Sequence, residues 1–245
     1  MQTSLPNDTA RINIQSGFVW DRQDAYLFDI DGTVLRSRDR VHMDSFVPSI
    51  FEVTGLEISL AGVAIHGSTD TAILRDAFEL AQVPAEVLEL HSDAILQAVR
   101  ENVASRRHLM DLRRMPGIEE TLRYLAGKGA MLGLATGNLE TIGWGKVELV
   151  GLREWFQFGG FSDRFPVRSE LIGDAARQAR ALTFPTASVC VVGDTPRDIA
   201  AAHANSLPVI AVATGNFSYD VLLELGPEVC ASSLADLLAC TQAAQ

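Results

Sequence analysis

Apolar and polar positions follow three different rhythms along this chain. Ala25 to Phe28 is a short unbroken apolar run, which predicts a buried strand that ends abruptly in Asp29-Ile30-Asp31-Gly32-Thr33. From Arg36 to Met115 the apolar residues recur at helical spacing and no strand is predicted. Met43 to Val53 is amphipathic, with Pro48 expected to kink or split it. Thr69 to Val83 places Ile73, Leu74, Ala77, Phe78 and Ala81 on one stripe. Pro84 suits the first turn of a further helix running to about Arg107. After Pro116-Gly117, short apolar runs alternate with helical segments. Strands are predicted at Ala130–Ala135, Phe156–Phe161, Ser188–Val192, Val209–Ala213 and Glu228–Ala231, the last as an edge strand. Helices are predicted over Ile118–Ala126, Leu139–Val150, Ser169–Leu182 with Ser169 as N-cap, Pro196–Ala204, and from about Ser233.

Strands alternating with helices of this length imply an α/β fold, a doubly wound, Rossmann-like parallel sheet with helices on both faces. The all-helical stretch then reads as a cap inserted into it. The expected organisation is an N-terminal extension over residues 1–22, a core of 23–35 and 116–245, and a helical cap of 36–115. The extension shows no period and reads as a surface segment or a partly ordered tail.

Composition narrows the partners. A formal net charge of -11 disfavours nucleic acid and anionic membranes, which would repel the chain. No stretch approaches the ~18 apolar residues of a membrane span. Met1 to Ala10 lacks a signal peptide's apolar segment. Cys190, Cys230 and Cys240 show no CxxC spacing, so no disulfide framework is expected. A cytoplasmic protein, monomer or homodimer, is the expectation. Eighteen arginines stand against two lysines, Lys128 and Lys146.

In an open parallel sheet, ligands bind beyond the carboxyl ends of the strands. Three predicted strands end in polar signatures: Asp29-x-Asp31, Thr136-Gly137-Asn138 and Gly193-Asp194-x-x-x-Asp198. Asp29 and Asp31 are two residues apart and in extended geometry point the same way. Taken alone, Asp-Gly is also a common turn dipeptide. Together, three carboxylates and a hydroxyl at one rim suit Mg2+, which takes hard oxygen ligands and a substrate phosphate. Thr136 precedes a helix, whose exposed amides welcome an anion.

In these residues the sequence resembles the haloacid dehalogenase superfamily, in its phosphoglycolate phosphatase-like branch with a helical cap. The resemblance implies that Asp29 attacks phosphorus while Asp31 protonates the leaving oxygen and then activates water. It implies a magnesium ion held by Asp29, the Asp31 carbonyl and Asp194, with Asp198 as a fourth acid or behind them. Thr136 would hydrogen-bond the phosphate, with Gly32, Thr33, Gly137 and Asn138 around it. The family also has a basic residue, usually lysine, between the threonine and the last acidic motif. Lys146 is the sole lysine there, but at ~1.5 Å rise per residue it falls about two turns from the helix start, and a solvent-exposed side chain is expected. Arg168, just before the predicted helix, is the preferred candidate and Arg164 the next; arginine binds phosphate bidentately.

His66, Ser68 and Asp70, at the start of a cap helix, resemble the loop with which this family's cap faces substrate. The other histidines have no metal-ligand spacing. The expected activity is Mg2+-dependent hydrolysis of a small phosphorylated metabolite. A sugar-phosphate mutase and a catalytically silent binding module are the alternatives.

Overall fold

The computed structural model describes residues 10–243. In chain order it contains β1 (Ile12–Ile14), β2 (Ala25–Phe28), β3 (Leu35–Ser37), α1 (Phe46–Thr54), α2 (Asp70–Leu80), α3 (Ala85–Ser105) and β4 (Leu112–Arg114). It continues through α4 (Ile118–Gly127), β5 (Met131–Ala135), α5 (Glu140–Leu149), β6 (Phe158–Gly160), α6 (Arg168–Leu182), β7 (Val189–Gly193) and α7 (Pro196–Ala204). It ends with β8 (Val209–Val212), α8 (Tyr219–Leu223), β9 (Val229–Ala231) and α9 (Leu234–Ala243).

Among the described residues seven strands form one sheet in the order β1-β9-β8-β7-β2-β5-β6. Every pairing is parallel except β1 with β9. β2 is central, buried at all four residues. Its alternation feeds two cores: Tyr26 and Phe28 pack with α4 and α9, while Ala25 and Leu27 pack with α6 and α7. This is the expected doubly wound α/β sheet.

Four local expectations are corrected. β9 is not the edge, because Ile12–Ile14 of the supposed tail pairs antiparallel with it; the tail's residues 1–9 lie outside the described part. The stretch from Arg36 to Met115 does contain strand, since β3 and β4 pair as a two-stranded ribbon where the chain leaves and re-enters the core. Pro48 does not break a helix. It lies in the first turn of α1, where a missing N–H costs nothing, and a 3-10 turn over Met43–Ser45 precedes it. The N-cap of α6 is Val167 rather than Ser169, which brings Arg168 into the first turn.

The inserted helices have a core of their own, built on Phe46, Ile50, Ile73, Phe78, Ile95 and Val99, and it closes on Leu139 and Ile142 at the start of α5. Burying such side chains stabilises by ~1.5–3 kcal/mol each. The cap therefore sits on the carboxyl end of the sheet.

Candidate active site

Register fixes the site. Phe28 lies level with Leu134 of β5 and Val192 of β7, so Asp29, Thr136 and Asp194 leave the sheet at neighbouring points on one rim. Asp29 still donates its amide to the Val192 carbonyl at 2.9 Å, then the chain turns tightly, with the Ile30 carbonyl accepting from Val34 (2.9 Å) and Leu35 (3.0 Å). Gly32 has φ +100°, and a Cβ there would overlap the Asp194 carboxylate. Both facts require glycine.

A cavity of about 590 Å³ opens between this rim and the cap, lined by Asp29, Asp31, Thr136, Lys146, Arg168 and Asp194 among others. Carboxylate oxygens of Asp29, Asp194 and Asp198 lie within 4.8 Å of one another, all three side chains buried. Burial pushes the Asp29 and Asp194 carboxyls above the ordinary carboxylate range. At Asp29 the nearby Arg168 opposes the shift, and Asp198 and Asp31 add to it. At Asp194 the Asp29 and Asp198 charges reinforce it. One guanidinium, Arg168, stands against three crowded buried acids, and their hard oxygen donors fit a divalent cation such as Mg2+.

The four acids have different surroundings. Asp194 Oδ1 accepts from the Thr33 hydroxyl at 3.0 Å, and Gly215 lies so close that a Cβ would overlap Asp194 Oδ2. Thr33 is buried behind the acid, its hydroxyl turned to Asp194. Asp198 closes a capping box on α7: Thr195 donates its amide (3.0 Å) and hydroxyl (2.7 Å) to Oδ2, with Pro196 at the first helical position. Its Oδ1 accepts from Arg168 Nε (2.9 Å) and Nη2 (2.5 Å). Both Asp198 oxygens are engaged, so Asp198 stands behind the rim. Asp31 points elsewhere, to Asn138 and Lys146, and 40% of its side chain is accessible.

The basic residues need the largest correction. Arg168 does reach the site, its Nη2 2.9 Å from Asp29 Oδ1. Arg164 is exposed and borders a separate hollow. Lys146, expected in solvent, is only 4% exposed, with Nζ 2.8 and 2.7 Å from the two Asp31 oxygens. Counting rise along the helix misplaces it because Cα–Cβ bonds tilt toward the helix N-terminus, and the long stem recovers about a turn. Gly143, one turn earlier, lets α5 settle against Ile30 and Phe161. The two basic residues thus serve two different acids. Burial would raise the Asp31 carboxyl, but the Lys146 charge and hydrogen bonds outweigh it and hold it below the ordinary range.

Thr136 is fully buried in the wall, its hydroxyl accepting from Asn138 Nδ2 at 2.7 Å. Gly137 passes so close to the cap that a Cβ would overlap the Ser68 carbonyl. Here the stretch His66–Asp70 seals the rim. The Asp70 amide donates to the Gly137 carbonyl (2.8 Å), and Asp70 Oδ2 accepts from the Leu139 amide (2.8 Å) and faces His42 Nε2 at 3.1 Å. Asp70 is therefore a cap-to-core tie as well as part of the cavity wall. Ser68 meets Arg197, and His66 Nδ1 is 2.9 Å from Asn216 Nδ2. His42 and Gly215 were missed in the sequence. Gly215 had a visible signal, since Thr214-Gly215-Asn216 repeats the tripeptide at Thr136 after another strand.

A model of the haloacid dehalogenase-like hydrolase family matches residues 23–205. The chain belongs to that family. Solved structures share its fold. A hydrolase from Pseudomonas syringae is 16% identical, with a TM-score of 0.63 over 89% of this chain and 97% of that one. A predicted phosphoglycolate phosphatase from Haemophilus somnus is 18% identical, with a TM-score of 0.57 over 89% and 98%. A protein assigned as a β-phosphoglucomutase from Bacteroides vulgatus is 22% identical, with a TM-score of 0.61 over 88% and 86%. At these identities the likeness is one of fold. None of the curated proteins matches in sequence. Among the described residues of this haloacid dehalogenase-like hydrolase, no helix is long and apolar enough to cross a membrane.

Proposed function

We propose that this chain is a Mg2+-dependent phosphomonoesterase acting on a small phosphorylated metabolite through an aspartyl-phosphate intermediate, as in phosphoglycolate phosphatase-like enzymes. The observation that carries the reading is Asp29, a buried carboxylate at a strand end with Arg168 at 2.9 Å and a second carboxylate, Asp31, on the same cavity. Asp29 attacks phosphorus and forms the acyl phosphate as the ester P–O bond breaks; the negative phosphate entering the cavity favours the protonated form of Asp31, which gives that proton to the departing alkoxide. Water then attacks the same phosphorus, Asp31 takes its proton, and the Asp29–phosphorus bond breaks to release inorganic phosphate. Arg168 orients Asp29 and offers a guanidinium N–H to a phosphate oxygen. The Thr136 hydroxyl supplies a further donor. Asp29, Asp194 and the Asp31 carbonyl would hold Mg2+, which when bound neutralises charge on the phosphate oxygens. The seam between His66–Asp70 and Gly137 excludes water and bulky phosphoproteins.

No macromolecular partner is required, and unpaired cysteines fit a cytoplasmic setting. The test is a screen of phosphorylated metabolites with and without Mg2+, reading inorganic phosphate. Release that needs both the ion and Asp29 supports the reading. Transfer of phosphate between positions of a sugar, with none released, would replace it by a mutase.

A further inference from the structure

Lys146 carries a charge that the mechanism above leaves unused. It is one of two lysines among the 20 Lys and Arg residues of the chain, and only 4% of it is exposed. An ammonium in such a place is costly unless every N–H is met. Here they are. Its three donors face three acceptors: Asp31 Oδ1 at 2.8 Å, Asp31 Oδ2 at 2.7 Å and Asn138 Oδ1 at 2.8 Å. Asn138 closes the ring, its Nδ2 donating to Asp31 Oδ2 at 2.8 Å and to the Thr136 hydroxyl at 2.7 Å. One turn earlier on α5, Gly143 has no Cβ, which lets the helix lie close against Ile30 and Phe161.

Two consequences follow from this geometry. Lys146 has no donor left for a substrate phosphate, a role that Arg168 can fill. The Asp31 carboxylate, two bonds from a backbone turn and 40% accessible, would otherwise be free to rotate or to fold toward the cluster of three acids. We infer that Lys146 is a positioning residue: with Asn138 it fixes the Asp31 carboxylate toward the cavity, where it meets the leaving oxygen and then the attacking water. The inference rests on the phosphatase reading of Asp31.

A cycle of four proteins tests it on a single phosphate ester such as p-nitrophenyl phosphate: wild type, Lys146→Met, Asp31→Asn and the double variant. A residue that acts through Asp31 has nothing to position once Asp31 is gone. Lys146→Met alone should lower kcat about 10- to 100-fold with KM changed little, against the ~10²–10⁴-fold typical of removing a proton-transfer group. In the Asp31→Asn background it should cost no more than about twofold, and Lys146→Arg should recover part of the loss. A general packing role would slow both backgrounds alike, and multiplied losses overturn the inference. So does a raised KM at unchanged kcat, which would make Lys146 a substrate ligand. Should Lys146→Met strand Asp31 and fail to fold, the double variant, which leaves no stranded charge, should fold and regain thermal stability. Its failure to do so would show that the pair is not what holds Lys146 in place. If wild type has no phosphatase activity, or Asp29→Asn keeps it, the phosphatase reading fails and takes the catalytic role with it. Failure of the cycle alone, with Asp29→Asn inactive, removes only Lys146.

Discussion

Arg168 Nη2 stands 2.9 Å from Asp29 Oδ1, and the same guanidinium is gripped by Asp198 from behind. Removing it leaves two buried carboxylates unpaired, which typically destabilises by about 3–5 kcal/mol. Arg168→Ala should lower the melting temperature and cut kcat roughly 10²–10³-fold, the loss seen when one preorganised donor is removed. Arg168→Lys should keep more of the stability than of the rate, because an ammonium cannot span Asp29 and Asp198 as the planar fork does. Equal rates for wild type and Arg168→Lys would argue against the two-carboxylate grip.

Asp29→Asn should abolish turnover with the fold intact, because the amide cannot form the acyl phosphate. Acid-quenched protein from a labelled substrate should carry label in wild type and none in Asp29→Asn. Near-wild-type turnover in that variant would sink the mechanism.

Mg2+ should raise the melting temperature of the wild type, since binding at 100 times Kd adds ~2.7 kcal/mol. For a chain of this length that is a shift of roughly 5–10 °C. Asp194→Asn should lose most of the shift and most of the activity. Equal activity in EDTA and in Mg2+ would show that the three acids are not a metal site.

Gly137→Ala would drive a methyl group into the Ser68 carbonyl at the seam between cap and core. Overpacking of this kind costs about 1–3 kcal/mol, and here it also separates Asp70 from the Gly137 carbonyl and the Leu139 amide. The variant should show a lower melting temperature, a fall in kcat/KM and weaker discrimination between small and bulky phosphate esters. Wild-type values for all three would show that the cap does not need this close approach.

Acid stability should depend on Asp21, which ties the segment before β2 to Tyr124 and Lys128 on and just beyond α4. Burial acts to raise its carboxyl, but the Lys128 and Tyr124 hydrogen bonds outweigh this, and the net shift is downward from 3.8. A depressed folded value means stability that is fully present above the unfolded value and lost as the pH falls through the folded one. Asp21→Asn should be less stable than wild type at pH 6 and lose less between pH 5 and pH 3. Parallel melting curves of the two proteins over that range would contradict it.

What the sequence determined is whatever depends on neighbours along the chain. Asp29 and Asp194 could be read because a buried parallel strand is a continuous apolar run, and the polar residue ending it must stand at the rim. The α2 start was legible from Thr69, a residue type that caps helices, and the α7 start from Pro196, which suits a first helical turn. The fold class followed from the alternation itself. Tertiary structure decided what depends on partners far apart in the chain. Ile12–Ile14 becomes a strand only because β9, more than 200 residues on, offers an open edge. Thr33 serves Asp194 because the turn after Asp29 brings its hydroxyl behind the rim. Lys146 belongs to Asp31 because a side chain leans back along its helix and Gly143 lets that helix close in, and neither fact is a matter of spacing in sequence.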